Sequence, residues 1–430
     1  MPRPFVNWAR TVRTRPTAWA SPAGESAVRA LIRDVRARGG RLRVCGSRHS
    51  WSAIAASDDV QVQLTALNEV VRINPEARTI TVQGGCRLRD VVRALAARGL
   101  ALPILGSIAE QTVAGALATG THGSSLRHGN LSTLATRVRL VDGHGEVRDT
   151  DAGDLPLPAA RVHLGALGIV TEVTLQAEPA FGLVETCIKL PLDEAAAQLA
   201  RLSTDHEYIK VWWFPPCAAV AIFTLARTPL SSRRSRVARA WESTANAALF
   251  PALLSVGKLR PDWIPRINRA VDRIHLRPGT RAGRSDEIFL LAVPPRHQET
   301  ELAFSAARAG EALVALRDML AATGARLDFI HELRFVRGDD SWLSPAHGRD
   351  TCQLGVYATH SPDTPRAFAD FAALAAAWDA RPHWGKQFTT SHDALTRLYP
   401  KLADFQALAR DCDPDGMFRN PLLATILGPA

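Results

Sequence analysis

The segment Gly46-Ser47-Arg48-His49-Ser50-Trp51-Ser52 sets an imidazole in the middle of a loop of small and polar residues. Gly and Ser let a backbone approach a ligand closely, and successive N–H groups in such a loop can cradle a pyrophosphate. A second run, LGSIAEQTVAGALATGTHGSS from Leu105 to Ser125, is rich in Gly, Thr and Ser around Val113-Ala114-Gly115. It is too small-sided for a core helix and too apolar for a linker. Close packing against a large planar or phosphorylated ligand explains it better. Glu332 and Arg334 stand two apart in His331-Glu332-Leu333-Arg334-Phe335-Val336, so a strand there puts both on one face. By spacing alone they are either a surface ion pair or a polar pair in a site. Arg381-Pro382-His383-Trp384-Gly385-Lys386 gathers an imidazole, an indole and an amine within one short stretch.

Several familiar chemistries have no support. No GxGxxG follows a strand, and there is no GxxxxGK[ST] loop. HExxH and GxSxG are absent, which removes the usual signatures of zinc peptidases and α/β-hydrolases. No metal site is expected.

The elements that must position these residues follow from periodicity. Ser21-Pro22 reads as a helix start, Val28, Leu31, Ile32 and Val35 follow helical spacing, and Gly39-Gly40 ends the helix. Arg41 to Cys45 is a strand running into the His49 loop. Leu88, Val91, Val92 and Leu95 mark a second helix, Arg137 to Val147 a hairpin around Asp142-Gly143, and Gly168 to Gln176 another strand. Near Glu178-Pro179 the pattern changes to strand, helix, strand, with aromatics at Trp212, Trp213 and Phe214. Ile288 to Val293 and Leu327 to Val336 read as strands flanking a long Ala-rich helix. A helix over Pro365 to Trp378 follows, then a tail of helix and loop from Lys401.

With 430 residues, 46% of them hydrophobic, the chain can bury the cores of two or three domains. The six cysteines form no CxxC pair, so reduced thiols are expected. The N-terminus has arginines and prolines but no apolar run of a secretory signal, and no stretch is long enough to span a bilayer. A cytoplasmic location is expected. Arg227 to Arg284 holds 13 Lys or Arg against 3 Asp or Glu, which equals the whole net charge of +10. That segment is a candidate for peripheral contact with an anionic membrane. It lacks the regular aromatic interleaving of a nucleic-acid stacking platform, so no nucleic-acid partner is expected.

These pieces, in order along the chain, resemble the aldonolactone oxidases (L-gulono-1,4-lactone and D-arabinono-1,4-lactone oxidases) and the related alditol oxidases, within the vanillyl-alcohol-oxidase type of flavoprotein. The resemblance is carried by Asn7-Trp8-Ala9, GSRHSWS, the Leu105 to Ser125 loop, GALGIVTEVTL from Gly165 to Leu175, ELRFVRGDDSWLSPAHGRDTC from Glu332 to Cys352, His383-Trp384-Gly385-Lys386, and DPDGMFRN from Asp413 to Asn420.

The resemblance implies an α+β fold: a two-subdomain FAD-binding domain over 1–178, a cap domain with an antiparallel sheet flanked by helices over 179–400, and a 401–430 segment returning to the first. It implies FAD bonded covalently through His49. Val44, Cys45, Gly46, Ser47, Arg48 and Ser50 would bind it on one side. Gly106, Ser107, Thr112, Gly115, Ala116, Leu117, Ala118, Thr121, His122, Gly123, Ile169, His383 and Lys386 would line the rest. Ser107, Glu332, Arg334 and Lys386 would face the substrate, and Lys386 would hold or deprotonate its hydroxyl if burial beside Arg334 makes it a base. The implied reaction is hydride transfer from a sugar-lactone carbinol to flavin, with O2 as acceptor and H2O2 as product. Related plant lactone dehydrogenases carry Ala where this chain has Gly106, and Gly leaves O2 room. Glu110-Gln111-Thr112-Val113 looks closer to lactone oxidases than to alditol oxidases, which tend to have Ser at the position of Thr112. A polyol substrate, or a membrane-docked dehydrogenase feeding a quinone or cytochrome, remains open.

Overall fold

The computed structural model describes residues 3–230, 244, 248–359 and 361–428. Arg233, Arg234, Arg236 and Arg239 of the basic segment lie outside them.

Val28, Ile32 and Val35 recur at helical spacing and form the buried stripe of helix Glu25–Ala37. The helix starts behind Gly24 rather than at Ser21-Pro22, because the chain turns there at a φ of 155° that glycine tolerates. Strand Leu42–Val44 pairs in parallel with Val60–Val62, which pairs in parallel with Ala18–Ala20. An antiparallel sheet runs in the order Val147–Asp149, Ala135–Val141, Ile169–Gln176, Thr79–Gln83, Val70–Asn74. Helix Leu88–Ala96 covers it through Leu88, Val91 and Leu95.

A larger antiparallel sheet begins at Gly182. Its order is Gly279–Arg284, Gly182–Pro191, Ala219–Thr228, Tyr208–Trp213, His331–Val336, Thr351–Ala358, Gln298–Ser305, Arg381–Pro382. One face buries Val211, Leu333, Phe335, Leu354 and Leu302 under helices Leu192–Asp205, Ala309–Thr323 and Thr364–Ala376. Each such side chain contributes roughly 1.5–3 kcal/mol when fully buried. Strand alternation therefore turns Glu332, Arg334, Glu299 and Glu301 to the other face.

Three expectations change. Ile288 to Val293 is not a strand: Ser285–Phe289 is a short helix, and the strand lies at Gln298–Ser305. The tail returns to the first core before residue 401, since Trp384, Leu395 and Tyr399 already pack there with Phe405, Leu423 and Ile426. A last helix, Pro421–Leu427, replaces the expected loop. In the basic segment, helices Phe250–Leu259 and Ile264–His275 precede strand Gly279–Arg284. Several of its cations are used internally: Arg227 pairs with Glu178 and Glu207, and Arg281 with Glu185.

Candidate active site

Two cavities meet at His49, Ser50, Gln111 and Thr119. The narrower, of about 110 Å³, is lined by Val44, Cys45, Gly46, Ser47, Arg48, Thr112, Gly115 and Ala118. The loop after Leu42–Val44 is shaped by Arg48, whose φ of 63° is unusual for a side-chain-bearing residue. The Arg48 carbonyl accepts from Trp8 N–H at 2.8 Å, which holds the kink. The two loops lock together: Ser47 Oγ donates to the Glu110 carbonyl, and a Cβ on Gly46 would overlap the Thr112 hydroxyl.

Four expected lining residues face elsewhere. Helix Val113–Ala118 presents Ala114, Gly115 and Ala118 to the cavity, while Ala116 and Leu117 are core. Strand alternation sends Ile169 into the core and leaves Gly168 and Val170 at the wall. Gly123 is pressed against Ile104 and the Leu105 carbonyl.

The wider cavity, of about 240 Å³, is lined by Gly106, Ser107, Thr121, His122, Glu332, Arg334, His383 and Lys386. Arg334 Nη2 donates to Glu332 Oε2 at 2.5 Å and to Ser107 Oγ at 2.7 Å. Trp212 Nε1 donates to Glu332 Oε1 at 2.7 Å, and the Tyr357 hydroxyl lies 3.2 Å from Oε2. Burial alone would raise the Glu332 pKa, but Arg334, the Trp212 donor and the charge of Lys210 outweigh it and hold the carboxyl below its usual range. Tyr357 is pushed well above 10 by burial and by Glu299 and Glu332, so it stays a phenol donor.

Lys386 is not a lone base in the chamber. It pairs with Glu299, lies 3.5 Å from Glu301, and sits 4.3 Å above the Trp51 ring. Glu299, Glu301 and His297 escaped the sequence reading. Their signal was alternation, His297-x-Glu299-x-Glu301, on a strand read as lying ten residues earlier. His122 Nδ1 donates to the Gly123 carbonyl at 2.8 Å, and Nε2 forms a buried pair with Glu301 at 2.6 Å. Burial would raise Glu301, but His122 and Lys386 draw it well below the carboxylate range. His122, Glu301 and His383 offer ligand atoms within 4.8 Å of one another. Both His122 nitrogens are engaged, and His383 Nδ1 accepts from Gly385 N–H at 3.0 Å. The cluster therefore reads as a hydrogen-bonded group rather than a metal centre.

Burial pushes His383 and His331 down to about 3 and His163 to about 4. A folded value below the unfolded one gives stability that is full above pH 6.5 and falls as pH drops. Each of the three is expected to cost about 1.4 kcal/mol per pH unit between pH 6.5 and 4. Calorimetry from pH 7 to 5 checks this; a flat melting temperature over that range refutes it.

The fit to FAD rests on the cavity itself. His49 Nδ1 is buried and has no hydrogen-bond partner among the described residues, at the junction of a narrow small-residue channel and a polar chamber. An elongated dinucleotide with a planar ring at that junction suits both. The FAD binding domain family matches residues 16–151, and the D-arabinono-1,4-lactone oxidase family matches residues 173–426.

This chain belongs to the D-arabinono-1,4-lactone oxidase family.

Relatives of that family agree over nearly full length. The chain is 32% identical to an L-gulono-1,4-lactone dehydrogenase of Mycobacterium tuberculosis, covering 99% of each. It is 30% identical to L-gulonolactone oxidase of Bos taurus, over 98% of each, and 34% identical to an alditol oxidase of Streptomyces sp., over 98% of each. Cholesterol oxidase from B. sterolicum shares the fold, with a TM-score of 0.83 at 16% identity over 99% of this chain and 96% of that one. Like the family, this chain is an FAD-dependent oxidoreductase with a vanillyl-alcohol-oxidase-type FAD domain and an antiparallel cap. Among the described residues no helix is long and apolar enough to cross a membrane.

Proposed function

We propose that this protein oxidises a CH–OH group of an aldono-1,4-lactone, using FAD bonded through His49 Nδ1 and O2 as acceptor. The observation that carries the reading is the Ser107–Arg334–Glu332 triad facing Lys386 in the chamber that adjoins His49. When bound, FAD supplies the two-electron acceptor for hydride from the carbinol carbon. The chain's residues do the rest. Arg334 and Ser107 donate to substrate oxygens, and Glu332 accepts from substrate hydroxyls while fixing the guanidinium fork. Lys386 holds the reacting hydroxyl, its ammonium kept in place by Trp51 and Glu299. The permanent charge of Arg334 opposes negative charge that builds up beside it during reduction. The test is acid precipitation to see whether the yellow colour stays with the protein, then a screen of lactones and polyols for peroxide release. Peroxide from polyols alone moves the substrate to the alditol class.

Gly106 supports O2 as acceptor. A Cβ there would lie 3.2 Å from Thr121 Cγ2 and 3.3 Å from the His122 carbonyl, at the chamber wall. Gly106→Ala is expected to slow O2 consumption about tenfold, a barrier change of about 1.4 kcal/mol, while anaerobic dye reduction holds. Equal losses in both assays would count against the O2 route.

A second reading, docking on anionic lipid, is favoured by one patch. Leu259 (81% exposed) and Trp263 (44%) project beside Lys258 and Arg260. Pelleting with anionic vesicles that vanishes in high salt tests it.

A further inference from the structure

Oxidation of the carbinol leaves one proton without a destination. Oxidising a carbinol breaks its C–H bond, whose electron pair leaves with hydride for the flavin. It also breaks the O–H bond, whose pair stays on oxygen to make the carbonyl. The released proton needs an acceptor within reach. Glu332 and Glu301 are held as carboxylates by Arg334 and by His122, and Lys386 arrives paired with Glu299.

His297 is placed differently. Its Nδ1 lies 2.8 Å from the Pro295 carbonyl. A carbonyl only accepts, so Nδ1 carries the hydrogen, and the neutral ring keeps a bare lone pair on Nε2. That Nε2 is buried without a hydrogen-bond partner among the described residues, in a side chain 3% exposed. It lies 3.8 Å from Glu299 Oε2. The ring is walled by Phe329 at 4.6 Å, Trp51 at 5.2 Å, Tyr357 at 5.3 Å and Trp8 at 5.4 Å between centroids. The titratable or charged groups around it are therefore Glu299 on its own strand, Lys386 beyond Glu299, Tyr357 on the next strand, and His49 beyond Trp8. An unpaired acceptor in a dry aromatic wall is destabilising. Holding a proton there next to a carboxylate recovers that cost.

We propose that the carbinol proton is stored on His297, passed along Lys386 and Glu299; this rests on the alcohol-oxidising reading above. Lys386, as an ammonium, gives one proton to Glu299 and takes the carbinol's proton in exchange. Glu299, after a small rotation, gives its proton to His297 Nε2. Lys386 and Glu299 end as they began, and the net change is one proton moved from the carbinol oxygen to His297. The new imidazolium then faces the Glu299 carboxylate. Reduction of O2 to H2O2 consumes two electrons and two protons, and the stored proton supplies one of them. His297 acts on the carbinol only through Lys386 and Glu299, as the final acceptor of this proton.

The test uses the FAD-loaded protein. His297→Phe keeps the ring stack and removes Nε2. In the wild type, anaerobic flavin reduction at saturating substrate is expected to rise with pH, because the neutral ring is the acceptor. His297→Phe is expected to lose that rise and to fall at least about tenfold in kcat, a change of about 1.4 kcal/mol, with KM unchanged. Glu299→Gln should lose the same rise. A His297→Phe variant that keeps the wild-type pH profile, or that changes KM alone, overturns the relay. Nitrogen NMR of histidine-labelled protein gives a readout independent of turnover. His297 should show a bare Nε2 and a protonated Nδ1, and Lys386→Met should move the Nε2 signal toward its protonated position, since Glu299 then faces only His297. A protonated Nε2 with bare Nδ1, or no shift in that variant, also overturns it. If no lactone or polyol reduces the flavin, the functional reading fails while the NMR shift still decides the coupling.

Discussion

Arg334→Ala is expected to cut kcat/KM by about 10²–10³-fold, the loss typical of removing one preorganised donor from a reacting centre. The guanidinium makes three contacts: Glu332 at 2.5 Å, Ser107 at 2.7 Å and the His122 carbonyl at 3.4 Å. Truncation leaves the Glu332 carboxylate, 6% exposed, without its cation. Stability should fall as well, by about 3–5 kcal/mol, because an uncompensated buried charge remains. The carboxyl's pKa should rise, since burial then acts without Arg334 to oppose it. Arg334→Lys restores the charge but not the planar fork, so its kcat/KM should stay closer to that of Arg334→Ala than to the wild type. The pair Glu332→Leu with Arg334→Met separates the two roles. It should recover much of the stability without recovering activity. Steady-state kinetics and thermal melts on the three variants and the wild type check this. An Arg334→Ala enzyme within tenfold of wild type would remove Arg334 from the site.

The placement of this pair shows what a single sequence can reveal. Glu332 and Arg334 were legible because alternation on His331–Val336 needs only the period of a strand. The His49 loop alone reads more readily as structural than as functional, and it became a candidate only in company with the Leu105 to Ser125 run, the Glu332-x-Arg334 pair and the His383-Trp384-Gly385-Lys386 stretch. Glu299 and Glu301 were not legible. A strand with Glu at alternate positions reads as a solvated edge, and only the cross-strand register puts Glu301 opposite Gly355, with Glu332 opposite the same glycine from the other side. Burial of those carboxylates depends on Lys386 and His122, which come from distant parts of the chain. Apolar content misled at Ile288 to Val293, where Asp286 and Glu287 open a short helix instead. Period also cannot choose a side. It puts Val170 opposite in sense to Ile169, and Ala116 opposite to Ala114, but which member meets the cavity depends on what packs behind.

His49→Ala is expected to release the flavin into the supernatant on acid precipitation, where the wild type retains it in the pellet. The bond would be made at Nδ1. A buried imidazole nitrogen without a partner is costly, by about 1–3 kcal/mol, unless something absent from the chain itself occupies it. Burial lowers the His49 pKa, so the ring is neutral near pH 7 and its nitrogen is free to form a bond. Trp8 packs on the ring at 5.7 Å, and Trp8 N–H holds the kink at Arg48, so the loop aims His49 independently of its side chain. The alanine variant should therefore keep the fold, with a stability change of about 1 kcal/mol. It should also keep non-covalent affinity, because Ser47, Thr112 and Gly115 still shape the narrow cavity. Added FAD should restore colour and part of the activity to that variant. A control separates linkage from simple binding: Gly46→Val, which drives a branched side chain into Thr112, should lose flavin altogether rather than loosen its attachment. If acid leaves the flavin in the pellet of His49→Ala, the bond is made elsewhere. In that case the unpaired Nδ1 has another occupant, and the substrate itself, in the adjoining chamber, is the first candidate.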